Sequence, residues 1–320
     1  MYAYFKGQFM PVAEAKLPIL THALHYGTAC FEGVRCNYNA EEGRAYIFRP
    51  REHFDRLRKS ARVLHINLKP TTDELCAIAS EIVRRTNLRE DLYMRPLAYK
   101  SAEVVANMRA HTLEDDFLMF AIPLGNYLDP NQGQHCCTST WRRIDDMSIP
   151  PRAKVTGGYI NSVLAKTEAV LNGFDEGIML NADGHVSEGS GENVFIVTGG
   201  KLVTPAPADN ILMGITRDTV IRLAREELGI ETIERTMDRT ELYTADELFL
   251  TGTAAHLTPV VKMDHRQVGD GQIGPVTRKL QALYFDAIRG KLKKYASWCQ
   301  AVELPQASKA GATTAAKARA

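Results

Sequence analysis

Three short patterns in the chain could hold a phosphate group. Gly214-Ile215-Thr216 opens a predicted helix, where unpaired N–H groups and the positive end of the helix dipole can bind an anion. Thr251-Gly252-Thr253-Ala254-Ala255 is a turn of small residues directly after a predicted strand, and turns at strand ends often form sites. Arg56 stands on a strongly basic predicted helix. A capped helix, a connecting turn and a solvated helix face are the ordinary explanations, so no pattern identifies a site by itself.

Two residues have side chains suited to covalent or acid–base chemistry. Lys154 lies between two segments rich in proline and glycine, in a stretch too irregular for a helix interior. An amine can act as a nucleophile or carry a proton, but a single lysine is ordinarily a surface residue. Glu188 lies in the glycine-rich segment Ser187–Asn193 between two predicted strands, where the glycines could serve the turn alone. These residues leave the identity of the nucleophile open.

Helices are predicted where apolar residues recur at helical spacing. In the first half these segments are Pro50–Ile66 and a helix opened by the capping-box pair Thr71 and Glu74. In the second half the predicted helices are Gly158–Leu171, Thr216–Leu228 with Thr216 as the N-cap, and Pro275–Ile288 with proline in the first turn.

A pair of strands is predicted between these helices. Leu92–Tyr99 alternates in character and places Tyr93 and Arg95 on one face, with Phe117–Pro123 as the expected partner. Proline cannot donate a hydrogen bond to a neighbouring strand. Pro96 therefore predicts that the first strand lies at a sheet edge or carries a bulge.

Helical and strand periods alternate without an internal repeat, which predicts a mixed α/β and α+β fold. A length of 320 residues suggests two domains, and a polar segment rich in glycine, proline and asparagine marks their boundary. The last fifteen residues contain neither an acid nor an aromatic residue, and we expect them to be disordered. The predicted division is 1–125 for a smaller N-terminal α/β domain, 126–135 for the linker, 136–305 for a larger C-terminal domain and 306–320 for the tail.

Composition excludes several classes of function. The 39 basic and 38 acidic side chains nearly balance, which argues against a nucleic-acid partner because phosphate neutralisation needs a basic excess. The longest apolar run, Phe117–Leu124, is far shorter than the roughly 20 residues of a membrane helix, so no membrane partner is expected. Six scattered cysteines without a C-x-x-C pair predict reduced thiols and no metal site. The first twenty residues lack the apolar core of a signal peptide, which predicts a cytoplasmic protein.

The weak signals occur together and in order, inside a series of recognisable blocks. These blocks are His22–Arg35, Arg51–Leu57, Tyr93–Pro96, Lys154–Tyr159, Glu176-Gly177, Gly184–Asn193, Gly214–Arg217, Thr251–Ala255 and Gly274–Thr277. The series covers about residues 3–290 and resembles the class IV aminotransferases, pyridoxal-phosphate enzymes of fold type IV, and among them the branched-chain amino acid aminotransferases. The resemblance implies pyridoxal 5'-phosphate as the cofactor. It also implies a small N-terminal α/β domain and a larger C-terminal domain with pseudo-barrel β-sheets and helices.

The resemblance implies a role for each matched residue of the cofactor site. Lys154 would form the Schiff base with pyridoxal phosphate and, once released by the substrate, move the proton between the substrate α-carbon and the cofactor. Glu188 would keep the pyridine nitrogen protonated, and Tyr159 would hydrogen-bond the phenolic oxygen. The other residues implied to bind the cofactor, mostly around its phosphate, are Arg56, Leu212, Gly214, Ile215, Thr216 and Thr253.

The resemblance also implies the reaction, a transfer of the amino group between L-valine, L-leucine or L-isoleucine and 2-oxoglutarate. The substrate-binding residues it implies are Tyr26, Phe31, Tyr93, Arg95, Tyr127, Thr253 and Ala254. The aromatic rings would line a largely apolar pocket, and Tyr93 with the turn Thr253-Ala254 would receive the α-carboxylate. Arg95 would meet the distal carboxylate of glutamate or 2-oxoglutarate. Tyr26 would reach the site of a neighbouring subunit, which implies a homodimer or a larger homo-oligomer.

Other activities of the same fold are alternatives: a D-amino acid transaminase, an (R)-selective amine transaminase and an aminodeoxychorismate lyase. Phe31-Glu32-Gly33 and Tyr93-x-Arg95 favour the branched-chain assignment over these three. A catalytically silent interaction protein is the alternative from a different class, and the intact Lys154 and Glu188 argue against it.

The chain departs from the family pattern at three places. Leu124 stands where some relatives carry tryptophan, His256 stands where many carry an acidic residue, and the loop 101–111 has no strong match. These departures leave open how broad a range of side chains is accepted, including aromatic amino acids and unusual amines.

Overall fold

Residues 1–125 and 131–305 are described by a computed structural model, in which two β-sheets carry helices packed against them. Within these ranges the first sheet has eight strands, and every pairing in it is antiparallel. Its first seven strands are β1 (Tyr2–Phe5), β2 (Gln8–Pro11), β3 (Ala29–Phe31), β4 (Val34–Asn39), β5 (Arg44–Phe48), β6 (Leu92–Lys100) and β7 (Asp115–Pro123).

The second sheet, with nine strands in the described ranges, curls into a closed ring. Its strands are β8 (Gln134–Thr138), β9 (Glu176–Leu180), β10 (Val186–Gly189), β11 (Asn193–Thr198), β12 (Lys201–Thr204), β13 (Thr232–Glu234), β14 (Glu247–Gly252), β15 (His256–Met263) and β16 (Arg266–Gln267). The order β10-β9-β8-β15-β14-β11 closes on itself because β10 also pairs with β11, where Glu188 lies opposite Asn193. The predicted pseudo-barrel is thereby confirmed.

The chain returns to the first sheet at its end. The last strand, β17 (Cys299–Val302), pairs with β5 and completes the order β17-β5-β4-β6-β7-β1-β2, with β3 also paired to β6. The predicted linker 126–135 overlaps the start of β8 at residues 134–135, and its residues 126–130 lie outside the described part, as does the tail 306–320. The domain division stays a prediction.

Seven α-helices cover the sheets in the described ranges. They are α1 (His22–Tyr26), α2 (Pro50–Val63), α3 (Thr72–Thr86), α4 (Tyr159–Leu171), α5 (Ile215–Leu228), α6 (Glu241–Thr244) and α7 (Pro275–Ile288). Helices α2 and α3 bury Phe54, Leu57 and Leu75 against the first sheet, while α5 and α7 bury Leu223 and Leu280 against the second. None of the described helices is long and apolar enough to span a bilayer.

The predicted start of α3 is confirmed, whereas the N-cap predicted for α5 lies two residues too late. Thr71 and Glu74 form the expected reciprocal capping box. Helix α5 begins at Ile215 with Gly214, rather than Thr216, as its N-cap. A Cβ at Gly214 would lie 2.0 Å from the Asn193 side-chain oxygen, so only glycine fits this close approach.

The strand with the central proline is not at an edge. Strand β6 pairs with β7 on one side and with both β3 and β4 on the other. Pro96 faces the interruption between β3 and β4, where its carbonyl accepts a hydrogen bond from the Glu32 amide. The missing N–H of proline is tolerated there because the neighbouring strand is broken at that point.

Candidate active site

The segment that carries Lys154 is held against the first sheet. The Phe31 amide donates to the Lys154 carbonyl at 3.0 Å, and the Thr156 amide donates to the Ala29 carbonyl at 2.8 Å. The Lys154 amide donates in turn to the hydroxyl of Ser60 on α2 at 3.1 Å. The main chain is therefore fixed on both sides of the lysine, and its side chain lines a cleft between the two sheets.

This cleft has an inner part and a more open outer part. Side chains of both sheets and of helices α2 and α4 line it. The residues that line both parts are Arg56, Lys154, Tyr159, Ser162, Ser190, Gly191, Glu192 and Thr253. Because Lys154 stands where the two parts meet, its amine can reach a group bound on either side.

Lys154 and Tyr159 form a direct contact at this junction. Tyr159 is the first residue of α4, and its hydroxyl lies 2.5 Å from the Lys154 Nζ. The Nζ also lies 5.1 Å from the ring centroids of Phe31 and Tyr159. The amine therefore has a hydrogen-bonding hydroxyl beside it and aromatic surfaces around it.

Glu188 lies buried where the barrel closes, in the inner part of the cleft. Its Oε1 lies 2.8 Å from the Arg143 Nε, and its Oε2 accepts hydrogen bonds from the Leu212 amide at 2.9 Å and the Asn193 side chain at 3.2 Å. Burial raises the pKa of Glu188, although Arg143, the Leu212 amide and the charge of Lys154 oppose the rise. Glu188 is thus a carboxyl group held in place by Arg143, Asn193 and the Leu212 amide, and its pKa depends on burial and on neighbouring charges.

The sequence patterns did not identify Arg143. It stands in an irregular stretch, and its pairing with Glu188 joins segments forty-five residues apart in a way that local spacing does not reveal. Leu212 contributes its main-chain amide, so its side-chain type carries no signal for this contact.

All three predicted phosphate-binding patterns converge in the inner part of the cleft, where Thr251, Gly252 and Thr253 represent the turn after β14. Gly214, Ile215 and Thr216 line it at the start of α5, whose first turn has no side-chain cap. Arg56 reaches the same place from α2, and its Nη1 donates to the Met213 carbonyl at 2.7 Å. Free amides, a helix N-terminus and a guanidinium together form an environment suited to an anion.

The fully buried carboxylate of Glu32 holds the Arg56 guanidinium in place. Glu32 accepts from the Arg56 Nε at 2.6 Å and from its Nη2 at 2.8 Å, and it also lies 2.7 Å from the His53 Nδ1. Burial alone would raise the pKa of Glu32, but the charge and hydrogen bonds of Arg56, with help from His53, lower it to about 2. Burial also lowers the pKa of His53. Glu32 and His53 were part of matched blocks, yet the sequence assigned them no role.

The outer part of the cleft combines aromatic surface with one arginine. Arg95 lies 4.3 Å above the Phe31 ring, and its Nη2 donates to the Tyr93 hydroxyl at 3.1 Å. Its Nε is buried and has no hydrogen-bond partner among the described residues. A Cβ at Gly33 would lie 2.1 Å from the Tyr93 hydroxyl, so glycine makes room for this ring. Ala254 completes the lining.

One of the predicted substrate-binding residues that the structure describes, Tyr26, is not among the residues that line the cleft. Tyr26 packs against His22, and its hydroxyl accepts a hydrogen bond from the Ala106 amide at 2.8 Å. Its predicted contact with a neighbouring subunit stays a prediction. Tyr127 lies outside the described residues.

The donor set fits a pyridoxal phosphate group. An amine and a carboxylate, Lys154 and Glu188, line the same inner part as the uncapped start of α5. The Thr251 hydroxyl in that part is buried and lacks a partner within the described ranges. This arrangement offers an amine for the aldehyde, a carboxylate for the pyridine nitrogen and amides for the phosphate.

Comparison with known proteins agrees with this geometry. The family model for class IV amino-transferases matches residues 29–263. A probable branched-chain-amino-acid aminotransferase of Aquifex aeolicus is 50% identical over 298 residues, which are 93% of this chain and 95% of that protein.

Two solved structures are also similar. The branched-chain aminotransferase of Thermoproteus uzoniensis with norvaline matches with a TM-score of 0.90 and 42% identity, over 94% of this chain and 99% of that one. A second branched-chain amino acid aminotransferase, complexed with N-(5'-phosphopyridoxyl)-L-glutamate, matches with a TM-score of 0.88 and 40% identity, over 93% and 97%. The chain therefore belongs to the class IV aminotransferases and, within them, to the branched-chain-amino-acid aminotransferases.

Proposed function

We propose that this protein transfers the amino group reversibly between L-valine, L-leucine or L-isoleucine and 2-oxoglutarate, with pyridoxal 5'-phosphate held at Lys154. The observation that carries the proposal is that Lys154, Tyr159 and Glu188 line one cleft, which continues into a pocket with aromatic surface and one arginine. The relatives' names support the reaction, and the solved phosphopyridoxyl-glutamate complex of a similar enzyme supports the cofactor and the second substrate.

The inner part of the cleft would hold the cofactor. Arg56, the start of α5 at Gly214–Thr216 and Thr253 would bind its phosphate, while Glu188 would pair with its ring nitrogen. When bound, pyridoxal phosphate supplies an electron sink for the electron pair released at the substrate α-carbon.

Lys154 would carry the proton during the reaction. As a neutral amine, its Nζ can accept the α-proton of the substrate and donate it to the cofactor. The Tyr159 hydroxyl, 2.5 Å away, holds the amine near the junction of the two parts. The hydrogen bonds that Phe31 and Thr156 make to this segment keep the lysine main chain in place during both transfers.

The outer part would accept both an apolar and an acidic side chain. Phe31 and Tyr93 supply apolar surface for a branched side chain. The Arg95 guanidinium stacks on Phe31, so it occupies little of the apolar volume and is weakly hydrated. This guanidinium lines the outer part of the cleft and provides a charged donor for the distal carboxylate of glutamate or 2-oxoglutarate.

Arg95→Ala is expected to damage the glutamate half-reaction selectively. Since a hydrogen bond to a charged group contributes about 1.5–3 kcal/mol, kcat/KM for glutamate should fall by roughly 10- to 100-fold while that for leucine changes by less than about 3-fold. Single-turnover kinetics of each half-reaction would measure both values, with Arg95→Lys as the charge-preserving control. Equal losses for the two amino acids would refute the role of Arg95.

Glu32→Gln is expected to weaken phosphate binding without touching the reacting centre. The neutral amide cannot hold the Arg56 guanidinium as the carboxylate does, so the Kd for pyridoxal phosphate should rise by roughly 10-fold, whereas that for pyridoxal should stay within about 3-fold. Fluorescence titration of the apoprotein would give both constants. Glu81→Gln, which removes a partly exposed carboxylate paired with two arginines, is the matched control and should change neither.

The effect of Glu32→Gln on the unfolding free energy should depend on pH. The pKa of Glu32, about 2, is below its unfolded value of about 4.3, so its ionisation stabilises the fold above that value and the gain is lost as the pH falls through 2. The wild type should therefore exceed Glu32→Gln in unfolding free energy at pH 6, and the difference should shrink towards pH 2. Urea unfolding at both pH values would measure it, and a difference independent of pH would contradict the assignment.

A panel of amino donors tests the proposed reaction. L-valine, L-leucine, L-phenylalanine, D-alanine and (R)-phenylethylamine would each be assayed against 2-oxoglutarate. Turnover of valine and leucine well above D-alanine and the amine is the expected result. Preferred turnover of D-alanine or the amine, or pyruvate release from aminodeoxychorismate without 2-oxoglutarate, would replace the proposal with one of the alternatives. A colourless protein that ignores added pyridoxal phosphate would rule out an enzyme of this kind.

The proposed functional unit is a homodimer or a larger homo-oligomer in the cytoplasm. Apolar side chains are exposed around α1, with Ile19 at 80%, Leu24 at 67% and Met108 at 73% accessible. Such a group of exposed apolar residues is typical of a protein–protein interface, and Tyr26 lies beside it. Light scattering after gel filtration would give the oligomeric state, and a monomer with full activity would contradict the proposal.

A further inference from the structure

Asn193 contacts both Glu188 and the main chain that leads into helix α5. It is the first residue of β11, lies opposite Glu188 where the barrel closes, and is 5% exposed. Its Nδ2 donates to the Leu212 carbonyl at 2.9 Å and to the Glu188 Oε2 at 3.2 Å, and that oxygen also accepts the Leu212 amide at 2.9 Å. The Asn193 side chain thereby closes a ring of hydrogen bonds with the Glu188 carboxylate and the main chain of Leu212.

The chemistry of these partners determines how the Asn193 amide is oriented. A carboxylate and a carbonyl only accept hydrogen bonds, so the NH2 group must face them, and it has one hydrogen for each. The Asn193 oxygen lies instead against Gly214, where a Cβ would come within 2.0 Å of it. Asn193 therefore contacts both ends of the segment Leu212–Gly214, and it has no hydrogen left to donate to a bound molecule.

The segment Leu212–Gly214 leads from the Glu188 carboxylate to the groups suited to an anion. Gly214 is the N-cap of α5, whose first residues line the inner part of the cleft. Between its two ends, the Met213 carbonyl accepts a hydrogen bond from the Arg56 Nη1 at 2.7 Å. Because Asn193 fixes this segment to Glu188, it also fixes the separation between the carboxylate and the anion-binding groups.

We propose that Asn193 is a positioning residue that holds the Glu188 carboxylate and the start of α5 at one separation, so that both can bind the same molecule of pyridoxal phosphate. The inference rests on the proposed function, because it concerns the cofactor of that reaction. Asn193 acts through Glu188 and the segment Leu212–Gly214. Two groups held in place bind a ligand that joins them more tightly than two groups free to shift, because less conformational freedom is lost on binding.

The test compares three probes on the full-length chain freed of cofactor: pyridoxal phosphate, pyridoxal and inorganic phosphate. Asn193→Leu keeps a similar shape but has no donor. Its Kd for pyridoxal phosphate should rise by roughly 10- to 100-fold, whereas the Kd values of pyridoxal and of inorganic phosphate, which each use one end of the site, should stay within about 3-fold. Fluorescence titration would give the first two constants, and competition with pyridoxal phosphate would give the third.

Asn193→Asp keeps the shape more closely and serves where the leucine variant does not fold. When ionised, the introduced carboxylate would repel Glu188 and the Leu212 carbonyl, whereas when protonated it would donate one hydrogen bond to them. Its affinity for pyridoxal phosphate, relative to the wild type at the same pH, should therefore recover in part between about pH 8 and about pH 6. The nearby groups Glu188, Arg143, Lys154, Arg56 and Glu192 are present in both proteins, so this ratio isolates the introduced carboxyl.

Asn37→Leu is the matched control. Asn37 is a buried asparagine on β4 that donates to the Ile288 carbonyl at 3.2 Å and does not line the cleft. Its replacement should lower stability and leave all three Kd values within about 3-fold of the wild type.

Two results would overturn the role of Asn193. These are an unchanged Kd for pyridoxal phosphate in both Asn193 variants, and equal losses for all three probes, which would indicate a general structural role. A wild type that binds pyridoxal phosphate with the expected losses in the variants, but does not transaminate branched-chain amino acids, would instead count against the proposed function alone. The two failures are therefore distinguishable.

Discussion

Replacing Lys154 with alanine is expected to reduce transamination by roughly 10,000-fold or more. The substitution removes the only proposed nucleophile and the proposed proton carrier at the junction of the two parts of the cleft. Tyr159 and the phosphate-binding residues stay, so the variant should still bind pyridoxal phosphate, but without a covalent bond.

Borohydride reduction followed by peptide mass spectrometry distinguishes these two modes of binding. The wild type should retain the cofactor on the peptide containing Lys154 and lose its visible band, whereas Lys154→Ala should retain none. Lys201→Ala, a surface lysine paired with Glu231, is the control and should behave as the wild type does. Covalent label on another lysine, or substantial activity in Lys154→Ala, would show that the assignment is wrong.

Glu188→Gln is expected to give the second-largest loss, roughly 100- to 1000-fold in kcat. Glutamine has the same shape and can keep the contact with the Leu212 amide, but it has no negative charge to stabilise a protonated ring nitrogen. The substitution also removes the negative charge that pairs with the buried Arg143. The loss should therefore arise in the proton-transfer step rather than in cofactor binding.

Stopped-flow spectra of the leucine half-reaction would show whether that step is slowed. Glu188→Asp should recover part of the rate because it restores the charge. Glu168→Gln, on α4 and outside the cleft lining, is the matched control and should leave the rate unchanged. A wild-type rate in Glu188→Gln would contradict the proposed ring-nitrogen contact.

Local patterns predicted most of the secondary structure because helix caps and helix starts depend on residues that are close in the sequence. The capping box at Thr71 and the proline-led helix Pro275–Ile288 were predicted with the observed bounds. The prediction from Pro96 of an edge strand was wrong because a proline is also tolerated where the neighbouring strand is interrupted. Only the pairing of β6 with both β3 and β4 shows that interruption. The N-cap of α5 was misplaced because Gly214 is required by Asn193, twenty-one residues away.

The candidate site could be predicted only in part, for a related reason. Lys154, Tyr159 and Glu188 were found because they stand in ordered blocks, and the structure brings them to one cleft. Arg143 was missed as a site residue because it acts through Glu188, a partner from a distant segment. Nothing in its own neighbourhood predicts that contact.

The sequence by itself determined which reactive groups the protein has, an amine, a carboxylate and an anion-binding helix start, and the family to which their order belongs. The tertiary structure alone decided how those groups are tuned. Arg56 lowers the pKa of Glu32 against the opposing effect of burial, whereas burial raises the pKa of Glu188. Electrostatic free energies depend on distance and on exclusion of water, and both arise only when distant segments pack together.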